Sequence, residues 1–453
     1  MELPSRVRGM QDIFWEYQRY FTFLKKVARH EFRTNGFTRI TTPILEMRSL
    51  IVHASWEGSD VVTKEMFDFT DKGWREVVMK PESTPGVMRA YLEHMLEEPQ
   101  PVYLYYIEPH FRYDRPQKGR YRQFHQVWAE IIGEEDPILD AKSIYIMKNI
   151  LDGLGLAGTY TIKINSLWVT KEREKYLEEL KSFFDARKHL LDETDLARLD
   201  KNPLRLLDSK NPDVQELLHI APKMTDFLKK DSKEFYEKVK EYLEILHVPY
   251  VEDPTLVRGL DYYSHTVWEF VDGSGRTQDA FWGGGRYDGL AKSIGWKNEV
   301  PAVGFAFGAE RLIESMMEHG VKLKNKDKIH LYIMQLGDDA KKLALPLNIE
   351  ARKRWLNSLL SLGTPSIKVQ LKKANRVWAR FVIVIGIMEA KKGVCQLKDM
   401  DRWTQIEMPL DKVLDVIINE VGTETLSFYH PSRDFIISDS VITTEDAKKI
   451  TLD

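Results

Sequence analysis

Residues 111–126 read FRYDRPQKGRYRQFHQ. Arg112, Arg115, Lys118, Arg120 and Arg122 face a single acid, Asp114, with Tyr113, Tyr121 and Phe124 interleaved and Pro116 and Gly119 in the middle. The halves YYIEPHFRY and RQFHQVWAE are strand-like, so the stretch predicts a β-hairpin with a long basic tip. Guanidinium groups beside aromatic rings suit phosphates with a stacked nucleobase. The same composition also describes a solvated hairpin whose arginines pair with nearby acids, and the segment alone does not choose.

The basic tip is a local feature. The chain has 453 residues, with 66 Lys plus Arg against 69 Asp plus Glu and a formal charge of -3. This balance argues against a general basic coat, so a polyanion must be met by patches such as this one. The length predicts two or three domains, and 43% hydrophobic residues are ample for packed interiors. The one cysteine, Cys395, excludes an internal disulfide framework and a cysteine-based zinc site, and it reads as a small core residue. MELPSRVRGMQD has no apolar signal core or Arg/Ser-rich presequence, and no run of about 18 apolar residues occurs. A soluble cytoplasmic protein is expected.

N-terminal to the hairpin, Asp12 is placed to cap a helix from about Ile13 to Phe32, ended by Gly36. FTRITTPILE reads as a strand ended by Pro43, and EMFDFTD and EVVMKPE as further strands. With VYLYYIEPHFRY and FHQVWAEIIG they predict an antiparallel sheet rather than β-α-β alternation. Residues 170–248 predict a helical insertion of amphipathic segments with Asn-Pro start signals. LVRGLDYYSHTVWEFV and AFWGGGRYDGL resume the sheet pattern, and PAVGFAFGAERLIESMMEHG reads as a strand running into a helix. After NKDK, KIHLYIMQL, RFVIVIG and GVCQLKDM read as strands and residues 338–360 as a helix, a small α/β domain with a partly parallel sheet. The fold class is thus α+β. An antiparallel-sheet core spans 1–325, an α/β domain spans 326–420, and the tail 421–453 lacks periodicity.

Other segments have two readings each. In KPESTPG (80–86), Glu82 and Thr84 suit an ammonium group, or cap the helix at VMRAYLEH. In LVRGLDYYSHT (256–266), Arg258, Tyr262 and Tyr263 suit a catalytic cation in a polar pocket, or a strand end with core tyrosines. GGGRYDG (283–289) reads as a glycine-rich turn, open to ligand approach or simply a tight hairpin. His125 and His265 have no metal-ligand partners at helical spacing and read as structural or surface residues.

Together these segments resemble one family. FRYDRPQKGRYRQFHQ resembles motif 2 of class II aminoacyl-tRNA synthetases in its histidyl-tRNA synthetase form. GFTRITTPILE resembles motif 1, VGFAFGAERL motif 3, and LVRGLDYYSHTVWEF the peptide peculiar to histidyl enzymes. NPLRLLDSKNPDVQELL is similar to their helical insertion, and ANRVWARFVIVIGIMEAKKGVCQLKDM to their anticodon domain. The resemblance runs over roughly residues 5–420. It implies that ATP, with Mg²⁺, activates L-histidine for transfer to tRNA(His), in a homodimer formed through motif 1 around Pro43. Arg112 is implied to bind the ATP α-phosphate, Phe124 to stack on adenine, and Arg311 to hold the far side of a bent ATP. Glu82, Thr84 and Gln126 are implied to grip the amino and carboxylate groups of histidine. Glu130, Tyr262 and Tyr263 would surround its imidazole, and Arg258 would approach the reacting carboxylate and phosphate. Arg115, Gln117, Lys118 and Arg120 would face the acceptor end of tRNA.

The sequence departs from the family pattern in places. KPEST stands where relatives have RPEGT, so Lys80 and Ser83 differ, and Asp114 replaces a Glu. Residues 354–360, the turn SLGTPS and the tail after about residue 421 are atypical. Two other readings compete. A regulatory subunit of ATP phosphoribosyltransferase shares the fold but usually lacks the VRGLDYY peptide and the C-terminal domain. A sensor of uncharged tRNA usually carries a kinase domain.

Overall fold

The structure, a computed structural model, describes residues 3–54, 61–117, 119–167, 170–207, 209, 211–257, 262–273, 280–323, 329–363 and 366–422. Two units divide the chain at Leu323/Lys324. In the first, the elements run α1 (Trp15–Thr34), β1 (Thr38–Arg39), β2 (Leu45–Met47), α2 (Arg48–Ala54), β3 (Phe67–Thr70), β4 (Glu76–Met79), α3 (Thr84–His94), β5 (Val102–Phe111) and β6 (Gln123–Ile132). They continue as α4 (Pro137–Gly153), β7 (Tyr160–Ser166), α5 (Thr170–Asp185), α6 (Glu193–Lys201), α7 (Pro212–Leu218) and α8 (Lys230–Ile245). β8 (Val251–Glu252), β9 (Ser264–Asp272), β10 (Ala280–Arg286), α9 (Leu290–Ser293), β11 (Ala302–Gly308) and α10 (Ala309–Glu318) complete the unit.

The alternating halves of the opening stretch pair as expected. β5 and β6 are antiparallel from Val102 opposite Ile132 to Phe111 opposite Gln123. They sit inside an eight-stranded sheet of order β1-β5-β6-β11-β10-β9-β7-β8. Pairing is antiparallel except at the two edges, where β1 joins β5 and β8 joins β7 in parallel. Because side chains alternate between faces, Val127, Ala129 and Ile131 face one way. There they join Leu24, Ala28 and Phe32 of α1, Ile144 and Met147 of α4, and Phe305 and Phe307 of β11 in the main core. The opposite face carries a second apolar cluster, with Leu104, Tyr106, Trp128 and Ile132, and among it the polar groups of the site.

Several expectations are corrected. Asp12 does not cap α1: Phe14, with extended backbone and no capping side chain, holds that position. FTRITTPILE is not one strand. Pro43 has no N–H to offer a ladder, and the chain passes from the large sheet at β1 to a separate sheet of order β2-β4-β3. The Asn-Pro signals do work: Asn202 and Asn211 accept from the N–H groups of Leu204 and Asp213. The insertion has its own core, with Leu180, Phe184, Leu199 and Val214, but α8 joins the main core through Tyr236, Val239 and Leu243.

The second unit runs β12 (Leu331–Gln335), α11 (Asp338–Lys353), β13 (Ser358–Leu360), α12 (Ile367–Arg376), β14 (Phe381–Ile385), α13 (Ile387–Lys392), β15 (Val394–Asp399), β16 (Thr404–Pro409) and α14 (Val413–Val421). Its sheet order is β13-β12-β14-β15-β16, parallel among the first three strands and antiparallel after. Cys395 is buried in its core. The helix expected over 338–360 ends at Lys353, because Trp355 turns left-handed at φ 67°. The N–H of Leu356 then closes on Ala351 O at 3.0 Å, a helix stop normally built on glycine. Residues 423–453 lie outside the described residues.

Candidate active site

Two-residue alternation places Tyr106, Glu108 and His110 on one face of β5, with Arg112 just past its end. Opposite them on β6, His110 meets Phe124, Glu108 meets Gln126, Tyr106 meets Trp128 and Leu104 meets Glu130. This row is the floor of the site.

At its inner end two carboxylates are buried. Glu130 accepts from Thr84 Oγ1 at 2.9 Å and Tyr106 OH at 3.3 Å on one oxygen, and from Tyr287 OH on the other. Burial outweighs these donors and pushes the Glu130 carboxyl up to about 8. Glu82 accepts from Tyr262 OH at 2.7 Å, and burial raises it as well. Its second oxygen, like Gln126 Oε1, is buried without a hydrogen-bond partner. The Tyr262 ring lies 4.9 Å from Tyr263 and 5.8 Å from Tyr287. Glycines make this crowding possible. A Cβ on Gly304 would overlap the Glu130 carboxylate, and one on Gly285 would lie 2.7 Å from Tyr263 Cδ1. The glycines at 283–285 of GGGRYDG therefore belong to β10 and not to a turn, which follows at Asp288 and Gly289.

At the outer end the site opens into a cleft of about 280 Å³ lined by cations. Arg112, Arg120, Arg311, Phe124, Gln126 and Glu310 are among its walls. Arg112 donates from Nε to Pro81 O at 3.0 Å, and its Cζ stands 5.4 Å from the Phe124 ring centre. Arg311 Nε donates to Gly119 O at 3.3 Å, so β11–α10 and the hairpin meet across the cleft. Burial, with the charge of Arg120 beside it, presses Arg311 below its ordinary value. The hairpin closes with paired backbone bonds between Gln117 and Arg120. Arg120 Nε pairs with Asp114 at 2.6 Å, and Arg122 stacks 3.7 Å over Tyr113. Arg115 and Gln117 are exposed at the tip.

The two halves of the sequence reading thus meet: Glu82, Thr84, Gln126, Glu130, Tyr262 and Tyr263 gather at one end, Arg112, Phe124 and Arg311 at the other. Arg258 and Lys118 lie outside the described residues. The capping reading of KPESTPG fails, since α3 has Ser83 at its N-cap with no side-chain cap, and Thr84 turns to Glu130. His125 is bound to Glu310 through its ring at 2.8 Å and its backbone N–H. Sequence reasoning missed Tyr106, Tyr287, Lys80, Glu108, His110 and Arg286. Arg286 is fully buried and forked onto Asp140, with Asp288 3.3 Å away, and so fixes the end of β10 from which Tyr287 reaches Glu130. Among the described residues no three His, Cys, Asp or Glu side chains cluster as a metal site.

An antiparallel sheet holding a buried carboxylate cage beside a cationic cleft, with a separate α/β unit after it, is the layout of an aminoacyl-tRNA synthetase. Residues 9–312 match the family described as histidyl-tRNA synthetase, and residues 330–420 match the anticodon binding domain. The chain belongs to the histidyl-tRNA synthetase family. It is 39% identical over 409 residues to the histidine--tRNA ligase of Halothermothrix orenii, over 90% of this chain and 97% of that protein. The crystal structure of apo S. aureus histidyl-tRNA synthetase superposes with a TM-score of 0.76 at 33% identity, over 92% of this chain and 100% of that one. A Bacillus halodurans C chain described as an ATP phosphoribosyltransferase regulatory subunit/histidyl-tRNA synthetase shares the fold alone, at 20% identity and a TM-score of 0.62, over 84% of this chain and 98% of that one.

Proposed function

We propose that the chain is a histidine–tRNA ligase, which joins L-histidine to ATP as histidyl-adenylate with release of pyrophosphate, then passes the histidyl group to the 3′ end of tRNA(His). The observation that carries this is the buried pair Glu82 and Glu130, ringed by tyrosines beside the arginine cleft. The partnerless oxygens of Glu82 and Gln126 are ready acceptors for an ammonium group. Thr84 assists them, and Glu130, Tyr262 and Tyr263 read the imidazole. A site that hydrogen-bonds its substrate this fully rejects isosteres by roughly 10⁴–10⁵ without an editing domain.

The attacking carboxylate of histidine is already ionised, so no general base is needed. The difficulty is anion approaching anion. Arg112 on the α-phosphate, Arg311 on the far side of ATP and Arg258 at the reacting atoms offset it with fixed positive charge. Phe124 offers its face to adenine. Mg²⁺ would enter with ATP, taking its ligands chiefly from phosphates and water and adding positive charge there; among the described residues no three His, Cys, Asp or Glu side chains form a cage for it. Arg115, Gln117, Lys118 and Arg120 approach the tRNA acceptor end, with Arg120 reaching back to the cleft.

The catalytic domain is assigned to 1–325, anticodon binding to 326–420 and a tail of unassigned role to 421–453. A homodimer is supported by Ile44, Leu45, Met47 and Phe69, large apolar side chains exposed beside Pro43 and on β3. The cytoplasm is the assigned compartment. Among the described residues no helix is long and apolar enough to cross a membrane. The test is ATP–pyrophosphate exchange with each amino acid in turn. Exchange with histidine is expected, and exchange driven only by another amino acid overturns the proposal.

A further inference from the structure

The segment carrying Glu82 and Thr84 is fastened to β5 and to Arg112 just past it. Lys80 is buried, and its ammonium donates to Glu108, to Thr42 Oγ1 at 3.0 Å and to Thr42 O at 3.3 Å. All three of its protons are thereby used. The backbone N–H of Phe111 donates to Lys80 O at 3.1 Å, and Arg112 Nε donates to Pro81 O. Ser83 Oγ is hydrogen-bonded to His110 Nε2 at 2.6 Å, with both residues buried. Glu108 and His110 of β5 and Arg112 just past it thus each hold one residue of 80–83. The residues between and after, Glu82 and Thr84, turn the other way, to Tyr262 and Glu130.

Lys80 and Ser83 each meet their own buried partner on β5. A buried serine hydroxyl facing an apolar residue, or a buried lysine without its acid, would be costly. Lys80 with Glu108 and Ser83 with His110 are therefore matched pairs.

We propose that Glu108 and His110 are positioning residues, which set the register of segment 80–84 against β5 and so place Glu82 and Thr84 for the amino group of histidine. This rests on the histidine-activating reading above. The Ser83–His110 bond acts on the amino-acid side: it orients the segment of Glu82 and Thr84, while Ser83 itself is no wall of the nucleotide cleft. A neutral imidazole suits the role, because burial, with Lys80 and Arg112 close by, drives His110 well below its ordinary value.

The test uses the full chain in ATP–pyrophosphate exchange, with active sites titrated and thermal midpoints measured alongside. Ser83→Gly and His110→Ala are each expected to raise KM for histidine about five- to tenfold, the loss of one buried hydrogen bond. For Ser83→Gly, KM for ATP and kcat per active site are expected to stay within about twofold, since Ser83 is no wall of the cleft; His110→Ala, whose ring packs 5.9 Å from that of Phe124, is read on KM for histidine alone. His110→Gln, which keeps a hydrogen-bonding group near Ser83, is expected to recover most of the loss. The double variant is expected to be no worse than the worse single one, because both changes break the same link. Should His110→Ala not fold, Ser83→Gly, which leaves only a small void, decides. Unchanged histidine KM in a wild type that does exchange with histidine, with or without a lowered midpoint, overturns the inference and leaves the pairs as packing. An equal rise in KM for ATP in Ser83→Gly also overturns it, since the latch would then act through Arg112. A wild type inert toward histidine refutes the proposed function itself, and the inference with it.

Discussion

The two ends of the site treat charge in opposite ways. Around Glu130 every oxygen has a donor, solvent is absent, and the carboxyl is pushed up to about 8 by burial. Around Arg112, Arg120 and Arg311 the wall is open, with the acids Asp114 and Glu314 beside the arginines. A sealed network recognises shape and hydrogen-bonding pattern, since one unmatched group inside it is costly. An open cationic wall recognises charge and position and is screened by salt. Amino-acid identity belongs to the first end, and phosphate handling to the second.

That contrast is most exposed to failure at Glu130. Glu130→Ala removes the acceptor of three hydroxyls and leaves a void behind them. Histidine-dependent exchange is expected to fall by at least about 10³ in kcat/KM, together with a lower thermal midpoint. A loss under tenfold would mean that the cage is not where histidine is read. On the open side the expected losses are smaller and of another kind. Arg112→Ala, and Arg258→Ala in the segment outside the described residues, are each expected to lower kcat by about 10²–10³ while histidine binding partly survives. Near-normal exchange in either variant would make that arginine structural.

These effects also mark what could be read in advance. The β5–β6 hairpin was legible because two runs rich in aromatic and β-branched residues flank a tip marked by Pro116 and Gly119. Glu82, Thr84 and Glu130 were legible only through resemblance, since a carboxylate in a strand-like run looks the same whether it is solvated or caged. Tyr106 and Tyr287 were missed for that reason: a tyrosine in a sheet reads as core until the partner of its hydroxyl is known. The triple glycine of β10 was misread because adjacent glycines usually signal a turn. Here they are small so that Tyr263 and the neighbouring strand can approach. The end of α11 was missed because Trp355 adopts the left-handed conformation that glycine usually signals.

The tip of the hairpin sharpens the contrast at lower amplitude. Arg115 and Gln117 are exposed beyond the cleft. Arg115→Ala and Gln117→Ala are expected to reduce aminoacylation of tRNA by about tenfold or less, with exchange nearly unchanged. The Arg115 variant is also expected to flatten the salt dependence of tRNA binding by about one phosphate contact. Equal losses in both reactions would move the tip into the adenylate site, and no loss in either would leave it a solvated hairpin.

The smallest expected effect tests the sealed end without any substrate. Glu130 is raised by burial from 4.5 to about 8, so in the folded chain it keeps a proton that the unfolded chain releases between those values. The unfolded state then binds fewer protons, and linkage makes stability fall as pH rises through that window. The contribution is complete below about 4.5 and lost above about 8. Glu130→Gln carries no titrating proton, so the difference in thermal midpoint between wild type and variant should drift with pH. A drift of roughly 2–4 °C is expected across the window, with the wild type losing ground at the alkaline end. The sign is what matters, because the open arginine cleft would give no such trend. Parallel curves for the two proteins would mean that Glu130 is ionised throughout, and that water or a cation reaches the cage which the geometry closes. Such a result would erase the contrast between the two ends at its most buried point.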